Sequence, residues 1–423
     1  MTPRPPQPPT PATPLRRGSA YIAVLGAAMV VTIIGLGALS LVRSQRLIVT
    51  TQTDAASARL AAESAVEWGA QIISAQSGWR TTRTNGEWAA GQDFGGSKVT
   101  LEVTDPLDGN LANRPTDPVQ VRATATRGPA RQILQATLTA SGPPLDCLRT
   151  AFHTGSRFRV RSPFVLTVSG APASTNSDLR NEGTIAGDAE CVLLTSAGTV
   201  TGTLTVAAPA KPLPPSGVVS LYANLGTVID PGGTLSNVAL GPGLNPYGTP
   251  NSEGVYVINA PAGLTISRVR VLGTLVVICP GATVTISGQV HMSPARADYP
   301  ALIVDGNVAF SFTSGSSLSE STPSPVNFNP AGVPYSGATD ADTTDVYPSE
   351  VRGLVHCRGN VTTAAAGRVV GAVIAEGELD AGANFEVSHT PSLATSPPMG
   401  YMKSVSMSVS QGSWRQVVVP AAP

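Results

Sequence analysis

Glu376, Glu378 and Asp380 alternate in the stretch EGELD, with His356 and His389 in the same region of the chain. On a strand, carboxylates two residues apart project from one face. Paired carboxylates beside a His or Arg are the apparatus of glycoside hydrolysis and polysaccharide lysis. The competing reading is a solvated strand or a turn between coils. Aromatic residues, on which sugar sites rely, make up only 5% of the sequence, which favours that plainer reading. No residue is therefore assigned a catalytic role.

Asp340, Asp342 and Asp345 (DADTTD) supply hard oxygens of the kind that hold Ca²⁺. The EF-hand pattern is missing, with no glycine at the sixth position and no Glu at the twelfth, so the alternative is a solvated acidic loop. His153, His291, His356 and His389 share no ligand spacing, and Cys147, Cys191, Cys279 and Cys357 form no CxxC pair. In an oxidising compartment those cysteines allow up to two disulfides, in three alternative pairings; as buried free thiols they would act as small apolar groups. No nucleophile-elbow, HExxH, P-loop or dinucleotide motif is present, and no cofactor is implied. Asn360-Val361-Thr362 fits the N-glycosylation pattern, a match frequent by chance.

Composition narrows the class. Lys plus Arg and Asp plus Glu both total 27, so no net field attracts nucleic acid as a partner. Charged residues are only 13%, against 43 glycines and 37 prolines, which describes short strands and many turns.

The element that positions everything else is Ser19 to Val42, free of charged residues. As a helix it spans roughly 36 Å, enough to cross a hydrocarbon core of about 30 Å. Arg16 and Arg17 precede it, within a leader (residues 1–18) whose proline-rich part, Met1 to Pro14, is expected to be extended. Arg4, Arg16 and Arg17 place the N-terminus in the cytoplasm, although Arg43 and Arg46 on the far side weaken the bias. The apolar run is longer than that of a cleaved secretory signal, and no proline occurs between Leu15 and Asp105. A stripe of Ile48, Thr51, Ala55, Ala58, Ala62, Ala65, Gly69 and Ile72 predicts one helix over residues 19–77, its small residues open to close packing.

Residues 78–142 read as an antiparallel meander, with alternating strands at 98–104, 119–126 and 131–139. From about residue 145 to 423, short apolar runs recur after glycine, as at Gly183, Gly198, Gly226, Gly273, Gly288, Gly306 and Gly359. That texture predicts a right-handed parallel β-helix in which each coil stacks on the last, ahead of a β-sandwich. Residues 207–216 and 313–350 read as excursions from the stack. The fold class is α+β, mainly β.

The segment RRGSAYIAVLGAAMVVTIIGLGALSLVRSQ, continued by ARLAAESAVEWGAQ, resembles the N-terminus of PilX-type minor pilins and K-type minor pseudopilins of the type IV filament superfamily. The resemblance covers about residues 16 to 77, and more loosely extends to about 140. It implies that prepilin peptidase cuts a basic leader after Gly18 and leaves Ser19 as the mature N-terminus. Major pilins carry Phe or Met at the first mature position and Glu at the fifth; here these are Ser19 and Ala23. The chain thus resembles subunits at a filament tip, or ones not polymerised along the shaft. The C-terminal region resembles β-helical modules appended to some PilX-like proteins, through Gly254–Ile278, Tyr299–Phe310 and Gly353–Val361. What these resemblances imply is a structural subunit of a type IV pilus or type II secretion pseudopilus. It would sit in the inner membrane, partnered by other pilin-like subunits, with its ectodomain in the periplasm or at the cell surface. A permanently anchored protein that binds, or cleaves, envelope polysaccharide is the alternative.

Overall fold

The computed structural model describes residues 17–418; the proline-rich tail and Arg16 lie outside the described residues. Helix α1 (Arg17–Ala75) is continuous over 59 residues and includes the backbone of Arg17, Gly18 and Ser19. From Tyr21 to Thr53 it is exposed throughout, as an apolar segment is when no protein covers it. The packed stripe begins later than the periodicity predicts: Ile48 and Thr51 are bare, and burial starts at Ala58. There the helix lies on a sheet made of β1 (Gly86–Phe94), β2 (Ser97–Thr104), β3 (Val119–Arg127) and β4 (Ala130–Ser141), all antiparallel. Alternation in β2 and β3 aims Val99, Leu101, Val103, Val119 and Val121 at Ala58, Ala62, Ala65 and Val66. Gly69 lets the backbones approach closely, since a Cβ there would stand 2.9 Å from Val121 Cγ1. The small residues therefore serve this helix's own sheet.

Two further strands join that sheet from the other end of the chain. Ser406–Val409 and Arg415–Gln416 pair antiparallel with β4. The expected β-helical unit of 145–423 is amended accordingly, because residues 406–409 and 415–416 pair with β4 instead.

The rest is a parallel β-solenoid: nineteen strands in one continuous sheet around a core of Val, Leu, Ile and Phe. The coils are not stacked in chain order, however. The first coil (residues 152–169) carries the second (173–186) on one side, with 189–200 beyond it. After Leu204–Val206 the chain leaves the stack, runs through helix Val218–Leu225, and restarts at the opposite end with Thr227–Val228. It then winds back coil by coil until Gly367–Ala375, Leu379–Ala381 and Phe385–Ser388 pair with the first coil. The helix covers this jump by burying Val218, Val219 and Tyr222 against Val255, Val257, Tyr299 and Ile303. Simple sequential stacking is therefore corrected to a stack with an internal seam. Local alternation specifies strands; it does not say which coil becomes whose neighbour. Gly183, Gly198, Gly226 and Gly273 precede strands as expected, whereas Gly288 and Gly306 fall inside longer ones.

Both excursions leave the stack where expected. Residues 313–349 form a lobe with its own small core of Leu318, Phe328, Val333 and Tyr347.

Candidate functional site

The carboxylates of EGELD do not share a face. Glu376 and Glu378 lie in the turn after Gly367–Ala375, and Asp380 lies on the next strand. Glu376 Oε1 stands 3.1 Å from His356 Nε2, while His356 Nδ1 stands 2.9 Å from the Tyr401 hydroxyl. His356 and Tyr401 are fully buried, so the trio fastens the segment after the solenoid onto it. Asp380 accepts a two-pronged hydrogen bond from Arg161 of the adjoining coil. That bond holds its carboxyl below the ordinary range, the opposite of what a general acid requires. The remaining histidines are structural too. His389 Nε2 donates to the Leu148 carbonyl at 2.8 Å, and His291 Nδ1 lies 2.9 Å from the Pro348 carbonyl. His153 is fully buried, and burial pulls it down to about 4, keeping it neutral.

All four cysteines are free and buried. Burial pushes the thiols of Cys147 and Cys357 up to about 12 and that of Cys279 up to about 11, so they pack as inert apolar groups. Asn360 is occupied within the stack: its Oδ1 accepts the Glu378 N–H at 2.9 Å.

Of the three aspartates in DADTTD, Asp340 and Asp342 gather with Glu320 so that their carboxylate oxygens lie within 4.8 Å of one another. Asp345 instead accepts from Asn329 Nδ2 at 2.9 Å. The group organises the lobe. Glu320, fully buried, accepts from Phe328 N–H, Tyr347 O–H and Asp345 N–H. Asp342 accepts from both the backbone and the hydroxyl of Thr344.

One surface feature escaped the sequence reading. Thr234, Thr265 and Thr285 are aligned on successive coils, and Ser236, Ser267, Ser287 and Ser311 form a second row beside them. Between the rows Leu235, Ile266, Ile286 and Phe310 point into the core at 0% exposure, so the hydroxyls face outward. At the parallel-sheet spacing, the serine row is about 14 Å long. The signal was present in the triplets TLS, TIS and TIS, which recur at that one register.

No protein-family model and no curated protein matches the sequence. Among solved structures, the chain is similar to the competence-associated pilin ComZ from Thermus thermophilus, at 11% identity over 86% of this chain and 98% of that one, with a TM-score of 0.27. It is also similar to the DUF3494 domain of an ice-binding protein from Shewanella frigidimarina, at 12% identity over 59% of this chain and 99% of that one, with a TM-score of 0.25.

Proposed function

We propose that the chain is a pilin-like minor subunit, anchored in the inner membrane with its N-terminus in the cytoplasm and its solenoid exported. The observation that carries this reading is the division of α1. One half is apolar and bare, while the other is embedded through alanines and Gly69 in an antiparallel sheet of the same chain. Such a helix can hold the protein in lipid and later pack with neighbouring helices, while its sheet and solenoid remain outside. PilX-type minor pilins and K-type minor pseudopilins are the finer assignment, supported by the residues around Gly18 and by the segment ARLAAESAVEWGAQ that continues the helix. The role is assembly rather than catalysis, with prepilin peptidase and other pilin-like subunits as partners. Intact mass and terminal peptide mapping of the membrane-extracted protein provide the test. The expected chain begins at Ser19. A chain still carrying Thr2 to Gly18 would overturn the filament role and leave a plain anchor.

The hydroxyl rows favour a second reading for the solenoid: recognition of a repetitive envelope polysaccharide. A periodic ligand meets equivalent Thr and Ser side chains at each coil, with little conformational entropy to lose. On a glycan array, the detergent-solubilised protein is expected to retain a polymeric glycan and to lose it on Ser267→Arg. Absence of binding to every glycan, or unchanged binding by the variant, would remove this reading.

A further inference from the structure

The loop from β2 to β3 gathers a second acidic group, away from the lobe. Asp105, Asp108 and Asp117 each offer a carboxylate oxygen, all within 4.8 Å of one another. Asp105 and Asp117 are almost wholly buried, at 4% and 5% exposed, and Oδ2 of each has no hydrogen-bond partner. Oδ1 of Asn113 is a third buried oxygen without a donor, while the amide of the same side chain donates to Asp108 Oδ2. The remaining oxygens shape the loop. Asp105 Oδ1 accepts from Leu107 N–H at 2.8 Å, and Asp108 Oδ1 accepts from Asn110 N–H at 2.9 Å.

Buried carboxylate oxygens without donors are costly, and their mutual repulsion adds to the cost. Arg114 and Arg80 are the cations nearest Asp117. These arginines do not satisfy the orphaned oxygens. Arg80 donates to the carbonyls of Leu111 and Asp117, and Arg114 lies 3.9 Å from Asp117 Oδ1 while reaching Glu253 at 3.2 Å. Glu253 in turn pairs with Arg296, which also holds Asp298. Across this linked group five carboxylates face three guanidinium groups, leaving two negative charges uncompensated.

We propose that Asp105, Asp108 and Asp117 form a calcium site at the junction of the antiparallel sheet and the solenoid. The donors are all hard oxygens on one loop. Ca²⁺ accepts six to eight such ligands in irregular geometry and takes the remainder from water, whereas Mg²⁺ demands a tight octahedron. A bound ion fixes residues 105–117, including Arg114, whose partner Glu253 belongs to the solenoid, so the ion stiffens the joint between the two units. The lobe cluster does not offer the same site, since its buried Glu320 already has its donors.

The test is calorimetric titration of the full chain in detergent with CaCl₂, alongside thermal melting. Saturable binding and a raised melting temperature are expected, in the range of about 10⁻⁴ to 10⁻³ M found for extracellular modules. Asp108→Asn, at an exposed position, should weaken binding about tenfold or more. Asp342→Asn should leave it unchanged. Absence of heat and of a melting shift at millimolar Ca²⁺ overturns the site. Binding that survives Asp108→Asn but is lost in Asp342→Asn places the ion in the lobe and also overturns it.

Discussion

Arg270→Met is expected to release the Phe328–Pro334 part of the lobe of residues 313–349 from the solenoid while leaving the coils folded. Arg270 is 2% exposed, and its guanidinium bolts the Phe328–Pro334 part of the lobe to the solenoid, while Arg268 separately donates to the carbonyls of Ser319, Glu320, Thr322 and Ser324. Nη1 donates to the carbonyls of Phe328 and Val333, each at 2.6 Å, and Nη2 donates to that of Pro334 at 2.5 Å. The same group lies over the rings of Tyr335 and Tyr347, at 5.2 and 5.5 Å. Burial alone pulls the guanidinium pKa down, and Tyr347, Tyr335 and Glu320 counter that pull. Methionine fills much of the volume but leaves three carbonyls without donors. At about 1–3 kcal/mol for each stranded group, the lobe loses roughly 3–5 kcal/mol after partial rehydration. Limited proteolysis with mapped products is the measurement: new cuts between residues 320 and 345 with the solenoid fragment intact. A lobe as resistant as the wild type would show that Arg270 does not hold it. Arg270→Lys should fall between the two, since one ammonium cannot reproduce a planar fork that serves three carbonyls.

The second large effect is expected at Gly371→Ala. Gly371 adopts φ +154° and stacks in register on Gly353, at φ +100°. A methyl group at Gly371 is driven into the Gly353 carbonyl, a backbone atom that cannot rotate away. Strain and overpacking together amount to about 3 kcal/mol or more. The strand concerned, Gly367–Ala375, meets the clash on its Glu350–Cys357 side and pairs with Phe152–Thr154 on the other, so its displacement is passed to the seam. Chemical denaturation should show a lowered midpoint, and hydrogen exchange should show the largest loss of protection at residues 152–169 and 367–388. Unchanged exchange at the seam would refute this account, whatever happened to the midpoint.

The legible features were those written in neighbouring residues. The charge-free run through Val42, the alanine stripe from Ala58 and the alternation of β2, β3 and β4 each follow from a local period. β1 was missed because GEWAAGQDF, an edge strand, is mostly exposed and does not alternate. The strands Ser406–Val409 and Arg415–Gln416 were missed for a similar reason: their residues are nearly all exposed, and backbone pairing with β4 recruits them. For EGELD the shared strand face is excluded because the chain turns after Ala375, which is the favoured plain reading, a turn between coils. The acidic loop at Asp105, Asp108 and Asp117 was passed over, since its members are scattered through a stretch dominated by turn formers. Only folding shows that two of their oxygens lack donors.

The internal seam also bears on the order in which the fold can be completed. Phe152 of the first coil pairs with Val373, roughly 220 residues later. The first coil therefore cannot complete one of its sides until residues 367–388 have been made and folded onto it. β4, made earlier still, acquires its outer partners only from residues 406–416. Completion of the fold is thus tied to residues 367–416, and a chain in which they are missing retains an open coil and an unpaired strand edge, the surfaces by which unfinished β proteins associate.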